Sequence, residues 1–294
     1  MTENLKIRCK NNGKLIEIPL GCNLYEAFEY AGISMQYGPV CARVNNKVQS
    51  MNYRFYNNKD VEFLSLHTPS GMQTYLRTLF FILTKAVKDV FPNGKIIIGS
   101  PVSRGIYCEL RIGRTVEKDD VSRIRARMQA IIDAALPIPR SQCPIEEAIE
   151  MFKRHGMNSN VKLLESIDRL YTCYYKLDDT IDSFYGSLLT HTGQMHLFDV
   201  IDFYDSLLLR IPCEKSPWQL EEMVEQSKML DVIREHHRWQ DILGMRTVGD
   251  FNAAVHAGMA ADLINVSEAL QEKKLTNITD EIAERKARIV LIAG

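Results

Sequence analysis

The hydrophobic pattern at the beginning of the chain predicts a small unit that is rich in β-strands. Apolar and polar residues alternate over residues 5–9 and again over 15–19, and the turn-forming residues 11–14 lie between them. Alternation with a period of two is typical of a strand with one buried face, so these segments predict a β-hairpin. Further strands are expected within residues 42–48 and 61–64.

A helix is predicted directly after this hairpin. Asn23 stands at an N-cap position and Glu26 follows three positions later, which is the spacing of a capping box. The order of hairpin, helix and further strands is typical of a β-grasp (ubiquitin-like) fold. We expect this module to cover residues 1–66.

The middle of the chain predicts a mixture of helices and strands, so the expected fold class is α+β. Residues 72–90 place their apolar side chains on one broad helical face and end at the turn Phe91-Pro92-Asn93-Gly94. The elements expected after this turn are strands at 95–98 and 107–112 and helices at about 119–135 and 145–155.

The last part of the chain predicts a helical connector. Ser216, Pro217 and Gln219 combine an N-cap, a proline at the first helical position and a glutamine at the third, which predicts a helix to about Ile242. Further helices are expected near Asp250 and Thr279. The apolar, β-branched run at 289–293 predicts a buried parallel strand.

Composition indicates a globular protein of more than one domain. The chain has 294 residues, of which 46% are hydrophobic and 25% are charged. It contains no apolar run long enough to cross a bilayer and no apolar segment typical of a signal peptide near its start. Seven scattered cysteines without a C-x-x-C pair favour reduced thiols and a cytoplasmic location over disulfides or a structural zinc site.

The small net charge of −1 conceals an uneven distribution of charge. Residues 71–140 contain twelve Lys and Arg against six acidic residues, whereas residues 141–294 contain sixteen against twenty-five. A basic segment is typical of a protein that binds an anionic partner such as RNA or a nucleotide. Attraction between the two parts of the chain is the alternative explanation.

Several polar clusters carry only a weak functional signal. His191 and His196 lack a nearby cysteine or carboxylate that would complete a metal site. Asp178, Asp179 and Asp182 are compatible with an acidic metal site, but carboxylates at such a turn are more often solvated or capping groups. We therefore assign no catalytic and no metal-binding residue.

Two segments resemble the second additional domain of threonyl- and alanyl-tRNA synthetases, which hydrolyses mischarged tRNA. Residues 86–128 match the helix end, turn and strands of that family, and residues 181–188 match a later segment. The family binds zinc through two histidines on the helix and a Cys and a His in the later segment. The corresponding residues here are Arg77, Phe81, Phe184 and Leu188. The resemblance therefore implies an editing-like domain at 67–213 whose hydrolytic site has been lost.

The same resemblance suggests a different use for the groove. Arg77 replaces a metal ligand, and its guanidinium is suited to binding phosphate or carboxylate. Arg104 and Arg114 are expected to border the same groove and to contribute to anion binding. The alternative is that Arg77 only extends to solvent or pairs with an acid. Phe81, Phe184 and Leu188 are expected to fill the former metal site with apolar side chains.

The beginning and the end of the chain carry two further resemblances. Residues 19–27 and 42–47 resemble the TGS domain that precedes the editing domain in threonyl-tRNA synthetase. The complete order, ending in SEALQEKKLTNITDEIAERKARIVLIAG, resembles the N-terminal region of bacterial uridine kinase-like proteins. In those proteins a P-loop kinase domain follows at once. The resemblance implies a connector at 214–288, a first kinase strand at 289–294, and Gly294 as the first glycine of an incomplete P-loop.

Two functional hypotheses follow from these resemblances. In the first, the chain is a non-catalytic N-terminal region that regulates a nucleoside kinase or binds its substrate. The parent protein would then use ATP or GTP with Mg²⁺, the partner would be its own kinase domain, and this chain would be inactive and hold no cofactor. In the alternative, the chain is an RNA-binding module derived from a synthetase editing domain. The nucleoside and the oligomeric state do not follow from the sequence.

Overall fold

The computed structural model describes residues 4–291 and shows a mixed α+β protein, as predicted. The chain divides into two compact units, each of them discontinuous in sequence. The first contains the residues up to Cys143 together with Thr172–Arg234, and the second contains Pro144–Tyr171 together with the residues from Glu235 onward. The boundaries expected near residues 66, 213 and 288 rest on resemblance rather than on contacts, and they stay predictions.

The first unit begins with the β-grasp module, whose strands and helix follow the predicted order. Its elements are β1 (Asn4–Cys9), β2 (Leu15–Pro19), α1 (Leu24–Ala31), β3 (Cys41–Val44), β4 (Lys47–Gln49) and β5 (Lys59–Leu64). The strand order is β2-β1-β5-β3-β4, with β1 and β5 parallel at the centre. Leu24 and Ala27 of α1 share an apolar core with Ile7 and Phe63 of the sheet. The predicted hairpin and β-grasp order are therefore confirmed.

The capping box at the start of α1 is also confirmed. The Glu26 backbone N–H donates to the Asn23 side chain at 3.0 Å, and the Asn23 N–H donates to the Glu26 carboxylate at 2.8 Å. These two bonds satisfy donors that the first helical turn leaves without an intrahelical partner.

The rest of the chain alternates between helices and short strands. In chain order the elements are α2 (Pro69–Val90), β6 (Lys95–Val102), β7 (Gly105–Arg111), α3 (Lys118–Asp133), β8 (Arg140–Pro144), α4 (Ile145–Arg154), α5 (Asn158–Glu165), β9 (Tyr171–Leu177), β10 (Thr180–Asp182), a 3₁₀ turn (Thr192–Gln194), β11 (Asp199–Phe203), β12 (Ser206–Arg210), β13 (Pro212–Cys213), β14 (Ser216–Leu220), α6 (Ser227–Leu243), α7 (Val248–His256) and α8 (Ala260–Glu284).

Helix α2 lies at the centre of the first unit. One sheet has the order β11-β12-β7-β6, and another has the order β10-β9-β8. Leu79 and Ala86 of α2 share a core with Cys108 of β7, Ile124 of α3 and Leu209 of β12. This packing agrees with the predicted editing-like α+β fold, and it fixes α2 in the interior.

The predicted helix start at Ser216 is wrong, because residues 216–220 form strand β14 and α6 begins only at Ser227. Pro217 is buried, and its carbonyl oxygen lies 3.0 Å from His196 Nε2. These contacts with distant residues outweigh the local capping pattern. The end of α6 at Leu243 agrees with the prediction. Its first turns pack Leu230 and Ile233 onto an apolar cluster of the first unit.

The second unit is helical, with one difference from the prediction. Helix α7 begins at Val248, close to the predicted Asp250, but α8 runs without interruption through Thr279. The Thr279 hydroxyl donates to the Thr276 carbonyl at 2.8 Å inside the helix. A mid-helix asparagine such as Asn277 costs only a few tenths of a kcal/mol relative to better helix formers, so it does not break the helix.

The apolar run at the end of the chain forms no strand in the described residues. Ile289, Val290 and Leu291 have no regular structure, and Leu291 is 91% exposed. A parallel strand needs neighbouring strands for its backbone hydrogen bonds, and the described chain places none beside these residues. Gly294 lies outside the described residues. Within residues 4–291, no helix has the length and apolarity that are needed to cross a membrane.

Candidate functional site

One face of α2 lies along the chain segment that follows β10. The residues on this face recur every three or four positions, which is the helical repeat. They are Thr74, Arg77, Thr78, Phe81 and Lys85. Residues 178–190 lie opposite, and they include the segment that the resemblance matches to metal ligands. The two segments pack directly against each other with most of their facing side chains buried, and we call this contact region the α2 groove.

The guanidinium of Arg77 is held by backbone and hydroxyl groups. Its Nε donates to the Ser187 carbonyl at 3.1 Å, and one terminal nitrogen lies 3.4 Å from Thr74 Oγ1. A Cβ atom built on Gly186 would lie 2.7 Å from Arg77 Cζ, so a side chain at residue 186 would displace the guanidinium from this position. Burial lowers the pKa of Arg77 from its ordinary value, yet arginine remains a cation at any physiological pH. In residues 4–291, no carboxylate forms an ion pair with it.

Apolar side chains fill the interior next to Arg77. Phe81 is fully buried, and its ring centroid lies 5.4 Å from that of Phe184. The ring centroid of Tyr175 lies 6.2 Å from that of Phe184, and Leu188 is fully buried in the same core. The structure therefore brings Arg77, Phe81, Phe184 and Leu188 to one region. Zinc requires nitrogen, sulfur or carboxylate ligands, and three of these side chains are hydrocarbons. Among the described residues, no group of three His, Cys, Asp or Glu is arranged to hold a metal.

Buried hydroxyl groups fasten the two walls of the α2 groove together. Thr74 Oγ1 lies 3.1 Å from Ser187 Oγ, and the Leu189 N–H donates to Thr78 Oγ1 at 2.9 Å. The Tyr175 hydroxyl donates to the Gly186 carbonyl at 2.8 Å. Bonds of this kind satisfy buried polar groups and restrict residues 186–189 to one conformation.

Lys85 is the residue that the sequence analysis missed. Its side chain is 3% exposed, and its Nζ lies 2.7 Å from Asp89, 2.7 Å from Asp179 and 3.3 Å from Asp178. Burial acts to lower the pKa of Lys85, but hydrogen bonds to the three aspartates outweigh it and raise the pKa to about 12. The same contact lowers the pKa of Asp179. Two of the three aspartates that the sequence presented as a weak metal site, Asp178 and Asp179, therefore pair with a lysine ammonium. The sequence does contain one signal for this site, because Lys85 stands on the apolar face of α2 four residues before Asp89, a spacing that allows an ion pair.

The other two predicted anion-binding arginines have carboxylate partners. Arg114 forms two hydrogen bonds of 2.7 Å with Asp120, which is buried, and this contact lowers the pKa of the Asp120 carboxyl. Arg104 lies in the β6–β7 turn, 3.8 Å from Glu221. No described contact joins either residue to Arg77. Of the three, Arg77 alone lacks an acidic partner in the part of the chain that the structure describes.

Local acids neutralise part of the basic segment. The pairs are Arg111 with Glu109 at 2.6 Å, Arg125 with Asp199 at 3.0 Å and Arg127 with Asp89 at 2.8 Å. All of these residues belong to the first unit. The sequence count therefore overstates the positive charge of this segment that is available to a partner.

A tyrosine adjoins Gly186 in the chain, and a second arginine lies on β8, the strand beside β9. Tyr185, which directly precedes Gly186, is 72% exposed. Arg140 is exposed on β8, and its terminal nitrogen lies 2.9 Å from Cys173 Sγ. Burial raises the pKa of Tyr175, whereas the positive charges of Arg140 and Arg77 oppose that rise.

The chain is similar to threonine–tRNA ligases over about two thirds of its length. It is 32% identical over 192 residues to the ligase of Natranaerobius thermophilus, which covers 65% of this chain and 30% of the ligase. It is 26% identical over 192 residues to the ligase of Symbiobacterium thermophilum, and the match covers 65% of this chain and 29% of that ligase. Threonine–tRNA ligase 2 of Bacillus subtilis is 24% identical over 188 residues, and the match covers 64% of this chain and 30% of that ligase. No protein family model matches the chain.

These similarities confirm the synthetase part of the predicted resemblance. The matching region is the N-terminal part of the ligases, and the chain spans only about 30% of their length. The relatives named above are ligases and give no support to the uridine kinase interpretation. That interpretation, with its ATP or GTP and Mg²⁺, stays a prediction from the sequence.

Proposed function

We propose that this chain is an RNA-binding module derived from a tRNA synthetase, and that it binds RNA at the mouth of the α2 groove without hydrolysing it. The observation that carries the proposal is the Arg77 guanidinium, a half-buried cation that pairs with no carboxylate in residues 4–291. A guanidinium that is held in place by a carbonyl and a hydroxyl group keeps other N–H groups free for a phosphate. The similarity to threonine–tRNA ligases supports RNA as the source of that phosphate.

Two exposed residues of the first unit are suited to an RNA strand. Tyr185, which precedes Gly186, presents an aromatic ring on which an unstacked base can pack. Arg140 supplies a second positive charge on β8, where its terminal nitrogen lies 2.9 Å from Cys173 Sγ of β9. Single-stranded nucleic acids are bound by this combination of positive groups along the backbone and aromatic rings against the bases.

The interior of the groove argues against hydrolysis. Hydrolysis of an ester bond needs a positioned water, together with a general base or a metal that activates it. Phe81, Phe184 and Leu188 occupy the positions of former ligands with apolar surface. The groups that remain are suited to binding and not to water activation.

The proposal is tested by measuring the affinity of the purified chain for unfractionated, deacylated tRNA at several salt concentrations. Release of counterions from phosphates predicts that affinity falls steeply between about 50 and 200 mM salt. The absence of binding at the lower salt concentration would refute the proposal. So would an affinity that is independent of salt. A region that serves only as an appendage of a nucleoside kinase is expected to give no shift.

A further inference from the structure

Four aromatic rings on the first unit form two contacting pairs that lie outside the α2 groove contacts. Tyr37 stacks on His196, with ring centroids 4.5 Å apart and an angle of 6° between the ring planes. His67 contacts Trp218, with centroids 5.4 Å apart at 61°. The two pairs are joined through the β13–β14 hairpin, because the carbonyl of Pro217 lies 3.0 Å from His196 Nε2. We call these four residues the aromatic ledge.

The two histidines of the ledge are anchored at the edges of their rings. The Nε2 atom of His196 is held by the Pro217 carbonyl, and the ring centroid of His196 lies 5.3 Å from that of Tyr75. His67 Nδ1 lies 3.0 Å from the Glu214 carbonyl. Anchoring through ring nitrogens fixes the histidine ring planes behind Tyr37 and Trp218, and it removes much of the entropy cost of ordering these ring pairs on binding.

Two of the rings are turned toward solvent, although large aromatic residues are usually well buried. Tyr37 is 55% exposed and Trp218 is 46% exposed. The backbone of Tyr37 has φ +61°, a conformation that costs a non-glycine residue about 1–3 kcal/mol. The fold thus holds a tyrosine in an unfavourable backbone conformation and leaves its ring on the surface.

We infer that the aromatic ledge binds unpaired nucleobases of single-stranded RNA by stacking. A near-parallel ring pair such as Tyr37 and His196 can be extended by any base, since every base has a π-face. Exposed Lys215 in the adjoining hairpin turn follows Glu214, so the two charges offset each other and stacking carries the binding. The inference rests on the proposed function in taking RNA as the ligand, but it concerns residues that Arg77 does not contact.

Trp218 provides a direct optical test. The chain has two tryptophans, so Trp239→Phe leaves Trp218 as the single reporter. Titration with an oligoadenylate of about 12 nucleotides, which forms no duplex, is expected to lower Trp218 emission about twofold in a saturable way. In this background, Tyr37→Ala should weaken binding about tenfold. Tyr37→Phe, which keeps the ring, should bind like the reporter protein. Tyr56→Ala removes another exposed tyrosine and should change nothing.

The outcomes separate the ledge from the proposed function. If Trp218 emission does not respond while the same protein still shifts tRNA, the ledge is wrong and the RNA-binding proposal stands. Equal affinities of Tyr37→Ala and Tyr56→Ala would also overturn the ledge. If neither tRNA nor the oligonucleotide binds, both proposals fail. A saturable response with the expected order of variants supports the ledge.

Discussion

The guanidinium of Arg77 packs against the backbone of Gly186 so closely that a Cβ at residue 186 would lie 2.7 Å from Arg77 Cζ. Gly186 also has φ +121°, a backbone conformation that residues with a side chain rarely adopt. Its carbonyl accepts a hydrogen bond from Tyr175. Position 186 therefore sets the conformation of the residues next to Arg77.

Replacing Gly186 with alanine tests this relationship. Gly186→Ala combines backbone strain with the clash against Arg77, and we expect it to lower the free energy of unfolding by about 2–4 kcal/mol. Gly113→Ala is the matched control, because Gly113 has φ +79° and no atom within 4 Å of its Cβ position. The control should cost about 1 kcal/mol from backbone strain alone. Urea unfolding measures both values, and equal losses would contradict the proposed contact.

Removal of the buried ammonium of Lys85 should destabilise the first unit. Lys85→Met leaves Asp89, Asp178 and Asp179 without their shared cation, and we expect a loss of about 2 kcal/mol in the free energy of unfolding. This figure lies below that for a fully buried pair, because Asp178 and Asp179 are largely exposed and solvent can hydrate them. Lys88→Met on the same helix is the control and should cost little. If the two variants are equally stable, Lys85 does not hold the aspartates as described.

The ion pair between Lys85 and Asp179 also predicts a pH dependence of stability. The contact lowers the pKa of Asp179 below its ordinary value of 3.8. The carboxylate therefore stabilises the folded state above that value, and its contribution is lost as the pH falls through the lower, folded-state pKa. The difference in unfolding free energy between the natural chain and Asp179→Asn should be constant near neutral pH and vanish in acid. If the difference in unfolding free energy grows as the pH falls, the Asp179 carboxylate does not stabilise the folded state in the way described.

The region that the resemblance matches to a zinc site should hold no zinc. The residues there are Arg77, Phe81, Phe184 and Leu188, whose side chains offer no ligand set for a divalent ion. We expect elemental analysis of the purified chain to give far less than one zinc per molecule, and misacylated tRNA to remain intact in its presence. Stoichiometric zinc, or hydrolysis above the rate in buffer, would contradict the loss of the hydrolytic site.

The sequence predicted the elements whose signals are local. Asn23 and Glu26 lie three residues apart, and the bonds they form are those of the predicted capping box. The end of α6 near Ile242 follows from Gly244 in the same way, because glycine readily adopts the positive φ of a helix end. Signals of this kind depend on a few neighbouring residues, so they are visible in the chain alone.

The failures have a common physical cause, which is contact between residues far apart in sequence. Pro217 belongs to a strand because its carbonyl lies against His196, and no local pattern contains that partner. Lys85 was missed because Asp179 lies 94 residues away from it. The positions of Phe81, Phe184 and Leu188 came from a family resemblance. Spacing within this sequence does not bring 81 and 184 together.

The measurement that tests the central claim most directly is the affinity for deacylated tRNA of two variants of Arg77 and of a control. Arg77→Met keeps the length of the side chain but removes the charge, and Arg77→Lys restores a positive charge. Arg8→Met removes one exposed charge from β1 of the β-grasp module and is the control. All three variants are compared with the natural chain over a range of salt concentrations, after unfolding curves have shown that they are folded.

If Arg77 contacts a phosphate, Arg77→Met should bind more weakly and lower the slope of log affinity against log salt by about 1. Arg77→Lys should recover part of the affinity and the full slope, and Arg8→Met should match the natural chain. Equal affinity and equal slope for Arg77→Met and the natural chain would contradict the account.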